Sequence, residues 1–73
     1  MEKVWLIEWF EGGESKGFLC DPRCVKGGWA IQRELGIQFK REQDAEAVIH
    51  LFDLPWLCRP GVEIRAVAHE WER

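Results

Sequence analysis

From Val4 to Phe10 the chain is a nearly unbroken row of β-branched and aromatic side chains, followed by Gly12-Gly13, where a tight turn can take positive φ. The pattern predicts a strand. Ser15-Lys16-Gly17-Phe18-Leu19-Cys20 predicts a shorter return strand that closes a hairpin before Asp21-Pro22 breaks the ladder. Residues 21–28 read as a loop, Trp29-Ala30-Ile31-Gln32 as a short third strand, and Glu34-Leu35-Gly36-Ile37 as a turn feeding Gln38-Phe39.

Between Arg41 and Leu54 there is no Gly or Pro, and Ala45, Val48, Ile49 and Phe52 recur at the i, i+3, i+4, i+7 spacing of one helix face. An amphipathic helix is predicted, with Glu42 and Asp44 at the positive end of its dipole and no Ser, Thr, Asp or Asn at the expected cap near Lys40. Pro55 ends it, Trp56-Leu57 return to the core, and Arg59-Pro60-Gly61 turn the chain. Val62 to Trp71 then alternates. The even positions Val62, Ile64, Ala66 and Ala68 are small and apolar and suit the helix, whereas the odd ones are Glu63, Arg65, Val67, His69 and Trp71. The order ββ(β)αβ predicts a two-layer α+β fold, an antiparallel or mixed sheet with one helix on one face, and residues 1–73 as a single domain.

The first strand is apolar on both sides: Val4, Leu6 and Phe10 lie on one face, Trp5, Ile7 and Trp9 on the other. A single helix covers one face. The second is expected to present Trp5, Ile7 and Trp9, joined by Val67 and Trp71, and these five are the candidate protein-binding residues. Either loop 21–37 or the C-terminal tail folds over this patch, or the patch is an interface with another protein or a second copy of the chain.

Composition narrows the function. At 73 residues, 47% hydrophobic and 32% charged, the chain suits one small globular domain, and five Trp and four Phe supply its core. Thr, Asn and Tyr are missing and Ser15 is the only Ser, which leaves little hydroxyl or amide chemistry. The formal charge of −3 has the wrong sign for tracking a phosphate backbone, so no nucleic-acid partner is expected. Arg23, Arg33 and Lys40-Arg41 are the only candidates for a basic patch. No apolar run approaches the length needed to span a bilayer and the start of the chain lacks a signal peptide's cleavage site, so a cytoplasmic protein without membrane contact is expected. The odd set Cys20, Cys24 and Cys58 fits a reducing compartment.

Those cysteines with His50 or His69 form only a loose zinc pattern, because the second close pair of a structural site is missing. No metal and no cofactor are expected. Cys–His catalysis has no spacing to support it, and we expect His50 to be a partly buried helix residue and His69 an exposed one on the outer sheet face. Glu8, Glu11, Glu14, Glu70 and Glu72 read as solvating groups, and Gly12-Gly13 and Gly27-Gly28 as turns and not phosphate cradles. The expectation is a protein without catalytic residues. Its acidity serves solubility, or lets it occupy a basic groove that otherwise holds nucleic acid.

From the Gly-Gly-Trp at Trp29 through Leu35-Gly36-Ile37-Gln38-Phe39 to the run Arg41-Glu42-Gln43-Asp44-Ala45-Glu46-Ala47-Val48-Ile49, the sequence resembles a pattern recurrent in small phage- and prophage-encoded proteins. In them a hairpin leads to a Trp, then to a Phe before an acidic helix start with an Ala-Glu-Ala step, then to a last strand. The usual Ser, Thr or Asp cap of that pattern is absent here. The resemblance implies a short accessory protein that binds and inhibits a host protein, such as a CRISPR–Cas component, because anti-CRISPR proteins are similar in size, acidity and lack of catalytic residues. A homodimerising structural domain and a Cys-based zinc or redox module are the alternatives.

Overall fold

The computed structural model describes residues 2–21, 23, 28–51 and 60–72. Pro22, Cys24, Gly27, Phe52, Pro55, Trp56, Leu57, Cys58 and Arg59, named above, lie outside the described residues. Four strands, β1 (Glu2–Glu11), β2 (Glu14–Leu19), β3 (Trp29–Ala30) and β4 (Val62–Trp71), form an antiparallel sheet in the order β3-β2-β1-β4. One helix, α1 (Glu42–Leu51), packs on it. This is the predicted two-layer α+β architecture, with β3 shorter than expected.

Gly12 and Gly13 take φ of 61° and 84°, both positive, as a two-residue hairpin turn requires when it matches the twist of its strands. The sheet's long axis is set by β1 and β4, which pair over their full lengths from Glu2↔Trp71 to Glu11↔Val62. Pairing with β2 is shorter and contains a bulge. Trp9 faces Gly17 but Phe10 faces Ser15, so Lys16 is the extra residue, and from that point β2 is displaced by one position.

The register settles the two faces. Ile7 opposes Ala66 and Trp9 opposes Ile64, so these side chains share a face, and Ile7, Ile64, Ala45 and Ile49 form its buried centre beneath α1. Trp5, Leu19, Trp29, Phe39, Val48 and Ala66 pack around that centre. Fully burying a side chain such as Ile7 is worth about 1.5–3 kcal/mol relative to exposure. Ile64 and Ala66, two of the apolar even positions of β4, therefore meet the helix as predicted. His50 is exposed, against expectation: at about 100° per residue it sits about 140° around the helix from Ala45.

After β3 the chain crosses the opposite face. A single 3-10 turn (Arg33–Leu35) places the Arg33 guanidinium 4.8 Å from the centre of the Trp71 ring. Arg33 also donates to the Glu70 carbonyl at 3.4 Å, and Gly36 bridges to Cys20. Phe39 then exchanges two backbone hydrogen bonds with Trp5, at 2.7 and 2.9 Å, before α1 begins. Residues 31–37 thus form a strap from β3 and β2 towards the end of β4. Val4 and Leu6 are buried on this side of the sheet, and Leu6 and Phe18 lie against Gly36.

Candidate functional site

The five residues expected to form one aromatic docking face do not share a face. Trp5, Ile7 and Trp9 belong to the side that α1 covers, and Ile7 is fully buried. Val67 opposes Leu6, and Trp71 opposes Glu2, on the strapped side. The reason is register. In an antiparallel pair whose Cα partners join odd to even numbers, odd residues of β1 and odd residues of β4 point in opposite directions. Trp9 packs edge-on against Trp29, with ring centroids 5.6 Å apart, and its indole Nε1 is buried without an acceptor among the described residues.

The strapped side instead holds a polar cluster that the sequence reading assigned to solvent. Glu8 is 4% exposed. Its Oε2 accepts from Ser15 Oγ at 2.8 Å and its Oε1 from Nε2 of His69. The His69 side chain is 19% exposed, and the Phe18 ring meets it edge-on. A buried carboxylate needs such donors, because without them it would lose its hydration uncompensated. His69 does lie on the outer face as expected, but beside the strapped, buried part of it. The Lys16 bulge is what delivers Ser15: uninterrupted pairing would have set Ser15 opposite Glu11, on the other face.

Chemically, the cluster puts the carboxylate in the middle, receiving from a hydroxyl on one side and an imidazole on the other. A serine nucleophile of the triad type needs the imidazole in the middle, to take the hydroxyl proton. The geometry is that of a carboxyl group held inside a sheet face by partners from the two neighbouring strands. Among the described residues no group of three or more His, Cys, Asp or Glu side chains could hold a metal ion, and Cys20 is buried. No helix among them is long and apolar enough to cross a membrane.

Of the candidates for a basic patch, Arg23, Arg33 and Arg41 each pair with an acid among the described residues. Arg23 grips Asp21, with Nη2 at 2.7 Å from Oδ2 and its backbone N–H at 2.9 Å from Oδ1, and these bonds lower the Asp21 pKa from 3.8 to about 2. Arg41 pairs with Asp44 at 3.0 Å and Arg33 with Glu34 at 3.7 Å.

The outer side of the strap is where apolar surface meets solvent. Ile31 is 87% exposed, Leu35 46% and Ile37 39%; the only other large apolar side chain so exposed among the described residues is Leu51 on α1. The sequence pattern predicts strand and turn for these residues. The signal that could have found them is the placement of three large aliphatic residues in a segment too short and irregular to bury them. No protein-family model, curated protein or solved structure matches this chain.

Proposed function

We propose that this chain is a small, non-enzymatic protein-binding module that docks through the strap, with Ile31, Leu35 and Ile37 as its apolar anchors. The observation that carries the reading is the concentration, within seven consecutive residues, of three of the four large exposed apolar side chains among the described residues. The strap is held from below by Arg33 on Trp71 and by the close fit of Gly36, so the anchors are presented on a pre-organised segment. Gln32, Arg33, Glu34 and Gln38 supply a polar surround, and the net charge of −3 favours a basic partner surface.

The resemblance to phage accessory proteins makes host defence proteins, CRISPR–Cas effectors among them, the first targets to test. In cells whose CRISPR–Cas system destroys an incoming plasmid, the wild-type chain is expected to rescue the plasmid. The I31S/L35S/I37S variant, confirmed folded by circular dichroism, is expected not to. Binding to any identified partner should be lost in the same variant and retained when Glu46, exposed on α1, is changed to Lys. A partner that binds the triple variant as tightly as the wild type would refute the strap as the docking surface.

A further inference from the structure

The hydrogen-bonding phase of the sheet identifies a second surface. Trp5 directs its N–H and its C=O to Phe39, away from β4, so its even-numbered neighbours in β1 turn theirs towards β4. The Gly12 N–H, which reaches the Gly61 carbonyl at 2.9 Å, has that same phase. It follows that Glu63, Arg65, Val67, His69 and Trp71 of β4 bond to β1, while Val62, Ile64, Ala66, Ala68 and Glu70 turn their backbone groups outward. β4 is the last strand of the sheet. Among the described residues only the Glu70 carbonyl has a partner on that side, the Arg33 guanidinium.

Among the described residues this ten-residue edge has open backbone groups on four consecutive outward positions, all bearing small or aliphatic side chains and none of them Lys or Pro, and so carries no side-chain protection against strand pairing. We propose that a second copy of this chain occupies it, with β4 antiparallel to the partner's β4 about a two-fold axis at Ala66, giving one eight-stranded sheet. The axis is perpendicular to the sheet, so residues of like face and like phase must meet. Centred on Ala66, the outward set closes on itself: Ala66 pairs with its symmetry mate, Ile64 with Ala68, and Val62 with Glu70. The intervening positions then oppose Glu63 to His69 and Arg65 to Val67, with no like charges face to face.

The registers shifted towards the Gly61 turn are poorer. Centred on Arg65, the two guanidinium groups oppose each other; centred on Ile64, the pairing runs into the Pro60-Gly61 turn and leaves Ala68 unpaired. The β4 edge and the outward side chains of the strap are separate surfaces, so this inference stands whether or not the strap binds a partner.

Sedimentation velocity over a wide concentration range, combined with residue-resolved amide exchange, tests it. The expected result is a dimer in which the amides of Ile64, Ala66 and Ala68 are protected, and lose that protection on dilution. Ala66→Pro removes an outward N–H without touching the bonds to β1, and should leave a folded monomer. A wild-type monomer at every concentration would overturn the proposal, as would a dimer whose Ile64, Ala66 and Ala68 amides exchange freely. If the proline variant does not fold, the wild-type exchange pattern alone decides.

Discussion

His69 and Glu8 are not cross-strand partners, yet their side chains meet. In the ladder His69 opposes Val4 and Glu8 opposes Arg65, so the hydrogen bond runs obliquely over the strapped face. With Ser15 on its other oxygen, the Glu8 carboxylate ties β1, β2 and β4 together at one buried point. Glu8→Ala should therefore cost about 2–4 kcal/mol in urea unfolding, since it strands two donors and opens a cavity. Glu8→Gln should cost about 1–2 kcal/mol, because an amide has one acceptor oxygen where the carboxylate has two. A double-mutant cycle between Glu8→Gln and Ser15→Ala would reveal the coupling as non-additivity.

Gly36 makes the strap's close approach possible. Its φ of −67° is open to any residue, so only space restricts it. A Cβ there would sit 3.2 Å from both the Arg33 carbonyl oxygen and the Phe18 Cβ, and 3.5 Å from Leu6 Cδ2. Gly36→Ala should lower stability by about 1–3 kcal/mol through overpacking, read as a lower denaturation midpoint at unchanged slope.

The fold was legible where one periodicity ruled. Val62–Trp71 alternates cleanly and appears as a strand with the predicted bounds, and Gly12-Gly13 forms the predicted turn. Which faces combine was not legible, because it depends on register between strands about fifty residues apart, and a one-residue difference exchanges every side chain of a face. Trp71 therefore looks, from the sequence alone, like a neighbour of Trp5 and Trp9, and lies on the other face. Ser15 and Glu8 were hidden by the Lys16 bulge, which breaks the alternation without a proline or a turn to announce it. The strap is hidden in the sequence because Trp29-Ala30-Ile31-Gln32 looks like a strand; pairing stops at Ala30, and Ile31 is left in solvent.

Arg33 fastens the far end of the strap by stacking on Trp71 and bonding the Glu70 carbonyl. Its side chain is partly exposed, so Arg33→Ala should cost only about 0.5–1 kcal/mol globally. The larger effect is local: amide exchange should accelerate across residues 31–37 while the Leu6 and Val67 amides, paired between β1 and β4, stay protected. Uniform acceleration across the sheet would show instead that Arg33 supports the whole fold.

Asp21 offers a pH readout of the loop that follows β2. Side-chain hydrogen bonds from Arg23, then the Arg23 backbone N–H, hold its pKa at about 2 in place of 3.8. Because the folded value is depressed, the contact's contribution is complete above the unfolded pKa and is lost as pH falls through about 2. The group is exposed to solvent, so the effect should be confined to this loop and weakened by salt. Carbon-detected NMR titration of the Asp21 carboxylate should give a midpoint near 2 in the wild type, moving towards 3.8 in Arg23→Gln. An unchanged midpoint in that variant would assign the shift to a source other than the Arg23 side chain.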